Sequence, residues 1–461
     1  DYHILESRHI GRGPTGTLHP QPQHRTTPPL DGTKMNNFTK CDISRDYQPP
    51  NNDWGKAGLL VGHDSSLKDL RLGHLWDYFG GITKEALEPF WRGVAKNTSI
   101  EKLVLDRYHL FGGTKFFTIM CPFFEQNRNL KTLEVYSITN DIDDKGAKAL
   151  GKCLGRSESL TNLKINSNTN IKKGWGSIFE YFKSAHCRLA YLSLFENRMD
   201  DDSARLLADA LAKNTTLKTL DLGKNLLIKS AGWGGIFRYL QNPTCSLENL
   251  RLHHNRLDGA AIASLVASLA DNTTMKKLSL RHNYGWVASE WYVAFMSLLK
   301  SHNSALEELD LSCVEIDDRT VVGLANSLTD NVRLKHLLIG DPHFNMGEEA
   351  IWAFSRVVCD KSSIMGTYHS NHTLQRVTGH LSHHNIQPYL DVNRENNSIG
   401  DKRRRKIIMT HFGASGADVQ QFCDMDLKAL PHAIAWMAKD YYGFTALFES
   451  LPVIFSLLGD H

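Results

Sequence analysis

LADALAKNTTLKTLDLGKN, residues 207–225, carries two periodicities in succession. Ala204, Leu207, Ala208 and Leu211 are spaced three to four apart, which is one face of a helix. Leu217, Leu220 and Leu222 then read LxxLxL. The last two are two residues apart and so point to the same side of a short strand. Asn225 ends the phrase. A helix–strand unit this small has an apolar face and nothing of its own to bury it against, so it must stack on copies of itself.

Those copies are present. The triplet recurs from anchors at Leu67, Ile100, Leu130, Leu160, Leu189, Leu217, Leu247, Met275, Leu306 and Leu334, at intervals of 33, 30, 30, 29, 28, 30, 28, 31 and 28 residues. A period of this length marks a solenoid. A longer repeat of 58 residues overlies it: GWGSIFEYFKSAHCRLAYLSL from Gly174 matches GWGGIFRYLQNPTCSLENLRL from Gly232. LADALAKNTTLKTLDL from Leu207 likewise matches LVASLADNTTMKKLSL from Leu265. Two alternating unit types of about 29 residues account for the doublet.

This alternation resembles the ribonuclease-inhibitor class of leucine-rich repeats, over about residues 60–380. The resemblance implies an α/β solenoid: a curved horseshoe with parallel strands on the concave face, helices on the convex face and a helical C-terminal cap. Residues 58–380 are expected to form about 10–11 units of 28–33 residues. Residues 1–57, with GRGPTGTLHPQPQHRTTPPLDG and QPPNND, read as an extended or disordered arm, with the option of packing on the solenoid as a strap. Residues 381–461 read as an irregular segment and then the cap. SNHTL, a basic helix and LPHAIAWM together look like large families of repeat proteins in algae, especially diatoms.

Composition narrows the class of function. Hydrophobic residues make up 41% and charged residues 22%, enough for an extended core. The 53 basic and 50 acidic residues leave a net charge of +3, without the basic excess of a dedicated nucleic-acid binder. No apolar run approaches the ~18 residues of a membrane span. Cysteines at 41, 121, 153, 187, 245, 313, 359 and 423 form no CxxC and read as reduced, buried thiols of an intracellular protein, cytoplasmic or nuclear. Because the chain begins at Asp1, an organelle is a further option. Sequons lie at Asn37, Asn97, Asn214, Asn272, Asn371 and Asn396; those in NTS or NTT just before a strand have a structural reason to recur.

Candidate chemistry is sparse. GxGxxG, GxxxxGK[ST] and GxSxG are all absent, which removes phosphate cradles and nucleophile elbows. His253, His254 and His282 follow triplets, so stacking alone gathers them, and no carboxylate or Cys completes a ligand set. Trp175 and Trp233 of the two GWG phrases read as core. Asp143–Asp144, Asp200–Asp202 and Asp317–Asp318 precede helices and read as N-caps. Asn168, Asn197, Asn225, Asn255 and Asn283 follow the triplets, where a side-chain amide can satisfy turning backbone. Lys402–Lys406, KRRRK, reads as a solvated helix face, with a nuclear signal or phosphate contact as the sharper alternative.

The concave sheet remains. Residues alternating with the buried leucines face outward, and Tyr136, Tyr191, Phe195, Asp221, Arg251, His253, Lys277, Arg281 and Asp310 stand out as a candidate protein-binding surface, since aromatics and Arg dominate interface energetics. The expected function is a non-catalytic scaffold (adaptor, inhibitor-like module or structural subunit) for a protein partner, with no cofactor and no metal. Nucleic-acid binding is disfavoured, resting only on the modest basic group Arg251, Lys277 and Arg281, and a steep fall of affinity with salt would mark it. Similarity in repeat class and size to Ran GTPase-activating proteins makes a GTPase regulator the alternative. The sensor part of an innate-immunity receptor is a third reading, disfavoured because no nucleotide-binding domain accompanies the repeats.

Overall fold

The computed structural model describes residues 39–43, 49, 51, 53–73, 84–106, 113–136, 142–283, 291–301, 303–340, 347–378 and 386–411. Strands are β1 (Lys40–Ile43), β2 (Asp69–Gly73), β3 (Lys102–Asp106), β4 (Thr132–Tyr136), β5 (Asn162–Asn166) and β6 (Tyr191–Ser193). They continue as β7 (Thr219–Asp221), β8 (Asn249–Arg251), β9 (Lys277–Ser279), β10 (Glu308–Asp310), β11 (His336–Leu338) and β12 (Arg376–Val377). All twelve pair in parallel, in chain order, in one open sheet. Helical segments connect them. Strands pack ~4.8 Å apart and helices ~8–10 Å apart, so one-to-one pairing bends the array with its strands inside.

Each triplet fills the space between the layers. Leu217, Leu220 and Leu222 are all buried, as are Leu247, Leu250 and Leu252 one unit on, and one apolar cluster runs from Ile43 to Leu390. Trp175 and Trp233 lie inside it, stacked on Phe179 and Phe237 at 5.5 and 5.8 Å.

Two ladders of asparagine hold successive units together. In the first, Asn225 donates from Nδ2 to the Leu194 and Leu222 carbonyls at 2.9 and 3.0 Å, while its Oδ1 accepts from the Asn197 and Met199 backbone at 3.1 and 3.2 Å. Asn255 and Asn283 repeat the pattern. The second ladder comes from sequon residues. Asn97, Asn214, Asn272 and Asn371 are buried, each with Oδ1 accepting from the turn that follows it. Buried amides in such bonds are closed to glycosylation; Asn396 is exposed and Asn37 lies outside the described residues.

The aspartate pairs divide two tasks. Asp143, Asp200 and Asp317 cap their own helices, accepting from Gly146, Ser203 and Thr320. The second member reaches the next unit instead. Asp144 accepts from Lys172 and Gly174, Asp201 from Lys229 and Gly232, and Asp318 from Gly347.

Three expectations are corrected. Part of the segment 1–57 belongs to the sheet: Lys40–Ile43 pairs with β2, and a helix begins at Trp54 with Asp53 as its cap. Its apolar side chains Ile43 and Trp54 are buried in the first unit, which explains why the array starts before the first triplet. Cys121 and Cys153 are joined in a disulfide rather than held as free thiols. They lie 32 residues apart, about one unit, so stacking sets them side by side with Cα atoms 4.8 Å apart. Cys187, Cys245, Cys313 and Cys359 are buried thiols as expected, Cys41 is half-buried and Cys423 lies outside the described residues.

The third correction concerns Lys402–Lys406. It lies in the helix Ile399–His411, which covers the last unit, and it is not a solvated face. Lys406 is fully buried, its Nζ donating to the Val358 and Asn371 carbonyls at 2.6 and 2.8 Å. Lys402 donates to the Asn393 carbonyl, Arg403 lies 4.3 Å over the Tyr368 ring and Arg405 pairs with Glu395. A run spent on seating this helix has little left to offer a phosphate or an import receptor. The segment 412–461, expected to complete the cap, lies outside the described residues.

At the other end the first two helices meet backbone to backbone. A Cβ on Gly58 would overlap the Phe90 carbonyl, and one on Gly93 the backbone of Gly58 and Leu59. In a free helix Gly→Ala stabilises by ~1 kcal/mol. Here Gly58→Ala is expected to reverse that sign and cost about 2 kcal/mol through overpacking, read as a lower urea midpoint; an unchanged midpoint would mean that the two helices part freely.

Candidate functional site

Parallel register turns the concave face into three rows. The middle row runs Arg71, Val104, Glu134, Lys164, Ser193, Asp221, Arg251, Ser279, Asp310 and Leu338. The row nearest the strand ends continues past them through backbone bonds: Ser167 to Phe195, Glu196 to Gly223, Lys224 to His253, His254 to Arg281 and His282 to Ser312. Phe195, Gly223, His253 and Arg281 are therefore consecutive neighbours.

The candidate residues fall into two groups. Tyr136 and Tyr191, both half-buried, belong to an ion-pair chain. Glu134 sits between Lys102 at 3.2 Å and Lys164 at 3.0 Å, accepts from the Tyr136 hydroxyl at 3.1 Å, and Lys164 lies 5.8 Å from the centre of the Tyr191 ring. Burial pushes the Glu134 carboxyl up, but the two ammonium groups outweigh burial and hold it below the usual carboxylate range. This cluster satisfies itself.

The second group is built around a missing side chain. Phe195 and His253 are two units apart, yet their rings stack with centres 5.4 Å apart and planes at 23°. They reach each other because Gly223 lies between them; a Cβ there would overlap the imidazole. Asp221, buried below, accepts from the Gly223 backbone at 3.0 Å and lies 4.0 Å from His253 Nδ1. Burial pushes the His253 pKa down, Arg251 and Arg281 add to this, and Asp221 and Asp310 oppose it without reversing the shift. The ring is thus held neutral near pH 7.

Charge distinguishes this group from the strands around it. Arg71 pairs with Asp106, Lys102 and Lys164 with Glu134, and both Lys277 and His336 with Glu308 at 3.0 and 3.5 Å. At the strand entrances Glu101 bridges Lys68 and Lys131, and Glu248 bridges Lys218 and Lys276. Arg251 and Arg281 have no ion-pair partner among the described residues. The carboxylates nearest them are engaged: Asp310 accepts from Ser312 and Ser279 at 3.0 and 3.1 Å, and Asp221 accepts from Gly223. Of the expected basic group, Lys277 is therefore neutralised, and the two arginines are not.

His254 and His282 stack at 4.2 Å in the turns beyond the sheet. Burial, then His282 and His253, push the His254 pKa down to about 4. No group of three or more His, Cys, Asp or Glu among the described residues is placed to hold a metal ion. No helix among them is long and apolar enough to cross a membrane.

No protein-family model matches the chain. Relatives among well-characterised proteins include mouse (Mus musculus) NACHT, LRR and PYD domains-containing protein 14, 30% identical over 165 residues, covering 36% of this chain and 16% of that protein. Mouse NACHT, LRR and PYD domains-containing protein 5 is 29% identical over 316 residues, 62% of this chain and 26% of that protein. Pig (Sus scrofa) ribonuclease inhibitor is 28% identical over 159 residues, 33% of this chain and 34% of the inhibitor. These matches join the parallel sheet and the 58-residue doublet in one conclusion.

The chain is a leucine-rich-repeat protein of the ribonuclease-inhibitor-like class.

It spans about a sixth to a quarter of the length of the two NACHT-containing relatives. Within this leucine-rich-repeat solenoid, three residues that matter to the face carry no mark in the sequence as candidates. Gly223 was visible only as an outward position without a side chain. Glu134 and Lys164 were visible as outward charges; their register across β4 and β5 could have shown that they pair.

Proposed function

We propose that this leucine-rich-repeat protein is a non-catalytic interaction scaffold whose concave strand face takes a protein partner. One observation carries the reading: the Phe195–His253 stack, laid across Gly223, stands beside two arginines without ion-pair partners among the described residues, while the lysines of the neighbouring strands β3, β5 and β9 are paired. Flat rings held in place by packing lose little freedom on binding, and aromatic residues and Arg are the types that anchor interfaces. The relatives named above support a repeat domain of this kind. The similarity to Ran GTPase-activating proteins finds no support among them and is not carried further.

Photo-cross-linking tests the reading. A benzophenone side chain is placed at Phe195 or Tyr191 and, as a control, at Arg394 on the exposed side of the C-terminal helices. After mild isolation of the native protein, a stoichiometric partner is expected to cross-link from the strand positions. Cross-links confined to Arg394 would sink the concave-face reading.

A further inference from the structure

Resting on the concave-face reading, we infer that Arg251 and Arg281 read an acidic segment of the partner, two carboxylates one residue apart, with a flat or apolar side chain beside them on the Phe195–His253 stack.

The spacing follows from the register. Arg251 is paired with Ser279 across β8 and β9, and Arg281 is two residues beyond Ser279, directly beside His253. With strands ~4.8 Å apart and ~3.3 Å of rise per residue, the two arginine Cα atoms are about 8 Å apart on the diagonal. An extended peptide repeats its same-side residues every ~6.6 Å, so carboxylates at positions i and i+2 match the pair within the reach of an arginine side chain. Each guanidinium presents a planar fork of donors that fits a carboxylate with two bonds.

The surroundings favour this occupant. Glu308, the nearby carboxylate free of backbone bonds, is taken by Lys277 and His336, and Asp221 and Asp310 are held by backbone and hydroxyl donors. The protein's own acids thus stop short of the two guanidiniums, while along the rest of the strand face they reach every cation named above. His253 stays neutral and adds no competing charge, and its ring, leaning over Gly223, leaves the Phe195–His253 stack half exposed beside Arg281. A duplex or single strand of nucleic acid would require a run of cations following its backbone; Lys102, Lys164 and Lys277 could have provided one but are neutralised in place.

A random-peptide display library selected on the full chain, in parallel with Arg251→Ala/Arg281→Ala, tests this. The pool from the unaltered chain is expected to be enriched in acid-x-acid with an adjacent aromatic or apolar residue, and the double variant is expected to lose that enrichment. Anisotropy with the best selected peptide should weaken roughly tenfold on Arg281→Ala and nearly as much on Arg281→Lys, because lysine keeps the charge but loses the fork. Gly223→Ala, which displaces His253 without changing charge, should also weaken it. Acidic enrichment that survives in the double variant overturns the inference. So does a non-acidic pool, and if that pool still loses binding on Phe195→Ala the scaffold reading stands; a pool indifferent to Phe195, Gly223 and both arginines sinks the two together. Tight binding of a twenty-nucleotide oligothymidine that is lost in the double variant and falls steeply with salt would reassign the arginines to nucleic acid.

Discussion

Asn225→Ala is expected to lower the stability of the array by about 4 kcal/mol. The side chain is fully buried and serves two units at once. Its removal leaves the Leu194 carbonyl and the Asn197 and Met199 amides with no bond to replace those it made, whereas the Leu222 carbonyl keeps the Nδ2 of Asn255 at 3.0 Å. Three buried orphans at ~1–3 kcal/mol each give the magnitude, and water cannot enter a site this closed without opening the stack. The neighbouring backbone adds to the effect. Lys224, immediately before Asn225, is held at φ 57°, a left-handed conformation that disfavours a side chain by ~1–2 kcal/mol and that the ladder keeps in place. Chemical denaturation followed by far-ultraviolet circular dichroism measures the loss. A change below about 1 kcal/mol would show that the turns hold themselves and that the amide ladder is incidental.

The same ladder shows how much of this fold could be read from sequence. A triplet of apolar residues fixes a strand and its inward face, and an amide three residues later at a fixed offset implies turning backbone, because no apolar side chain can serve a buried N–H and C=O together. Leu220, Leu222 and Asn225 are sufficient for that. The Asp200–Asp201 pair was legible as a cap, but its second carboxylate, reaching Lys229 and Gly232 in the next unit, depends on how units superpose and so on three-dimensional register. The left-handed residues at Ser167, Glu196, Lys224, His254 and His282 escaped because none is glycine; long-range bonds impose the conformation against local preference. KCDI at 40–43 escaped for a related reason. It carries no triplet, and only pairing with Asp69–Leu72 makes it a strand.

The candidate site divides along the same line. Which residues face outward follows from a period of two, and Tyr136, Tyr191, Phe195, Arg251 and Arg281 all lie on the concave side. Which of those charges remain available is a property of pairs across strands. Lys277 and Arg281 look alike in a row of outward residues, yet Glu308 stands opposite Lys277, and Ser312, opposite Arg281, has no charge to offer. Composition cannot express that difference; the inter-strand register does.

Lys406 should make the stability of the protein rise with pH, against the usual behaviour of a lysine that gains a partner. Burial pushes its pKa down from 10.5 to about 7, with Lys402 adding to the effect and Cys359 opposing it. Below about pH 7 the group is charged in both folded and unfolded chains, and the folded state bears the full cost of a buried ammonium. Between about 7 and 10.5 the unfolded chain still binds the proton and the folded chain has released it, so each pH unit stabilises the fold by about 1.4 kcal/mol. The released form remains useful. A neutral amine keeps two N–H donors, enough for the Val358 and Asn371 carbonyls it already serves at 2.6 and 2.8 Å. Other groups titrate over this range, so the quantity to measure is the difference between the unaltered chain and Lys406→Met, from urea midpoints at about pH 6.5 and about pH 9.5. It is expected to move by about 3 kcal/mol in favour of the lysine as pH rises. At the acid end the methionine variant, free of the buried charge, should approach or exceed the parent; at the alkaline end it should fall below it, because Val358 at the end of its helix then has a buried carbonyl without the donor. A difference that stays flat across the range would mean that the ammonium is solvated and that the helix Ile399–His411 is not seated on the last unit.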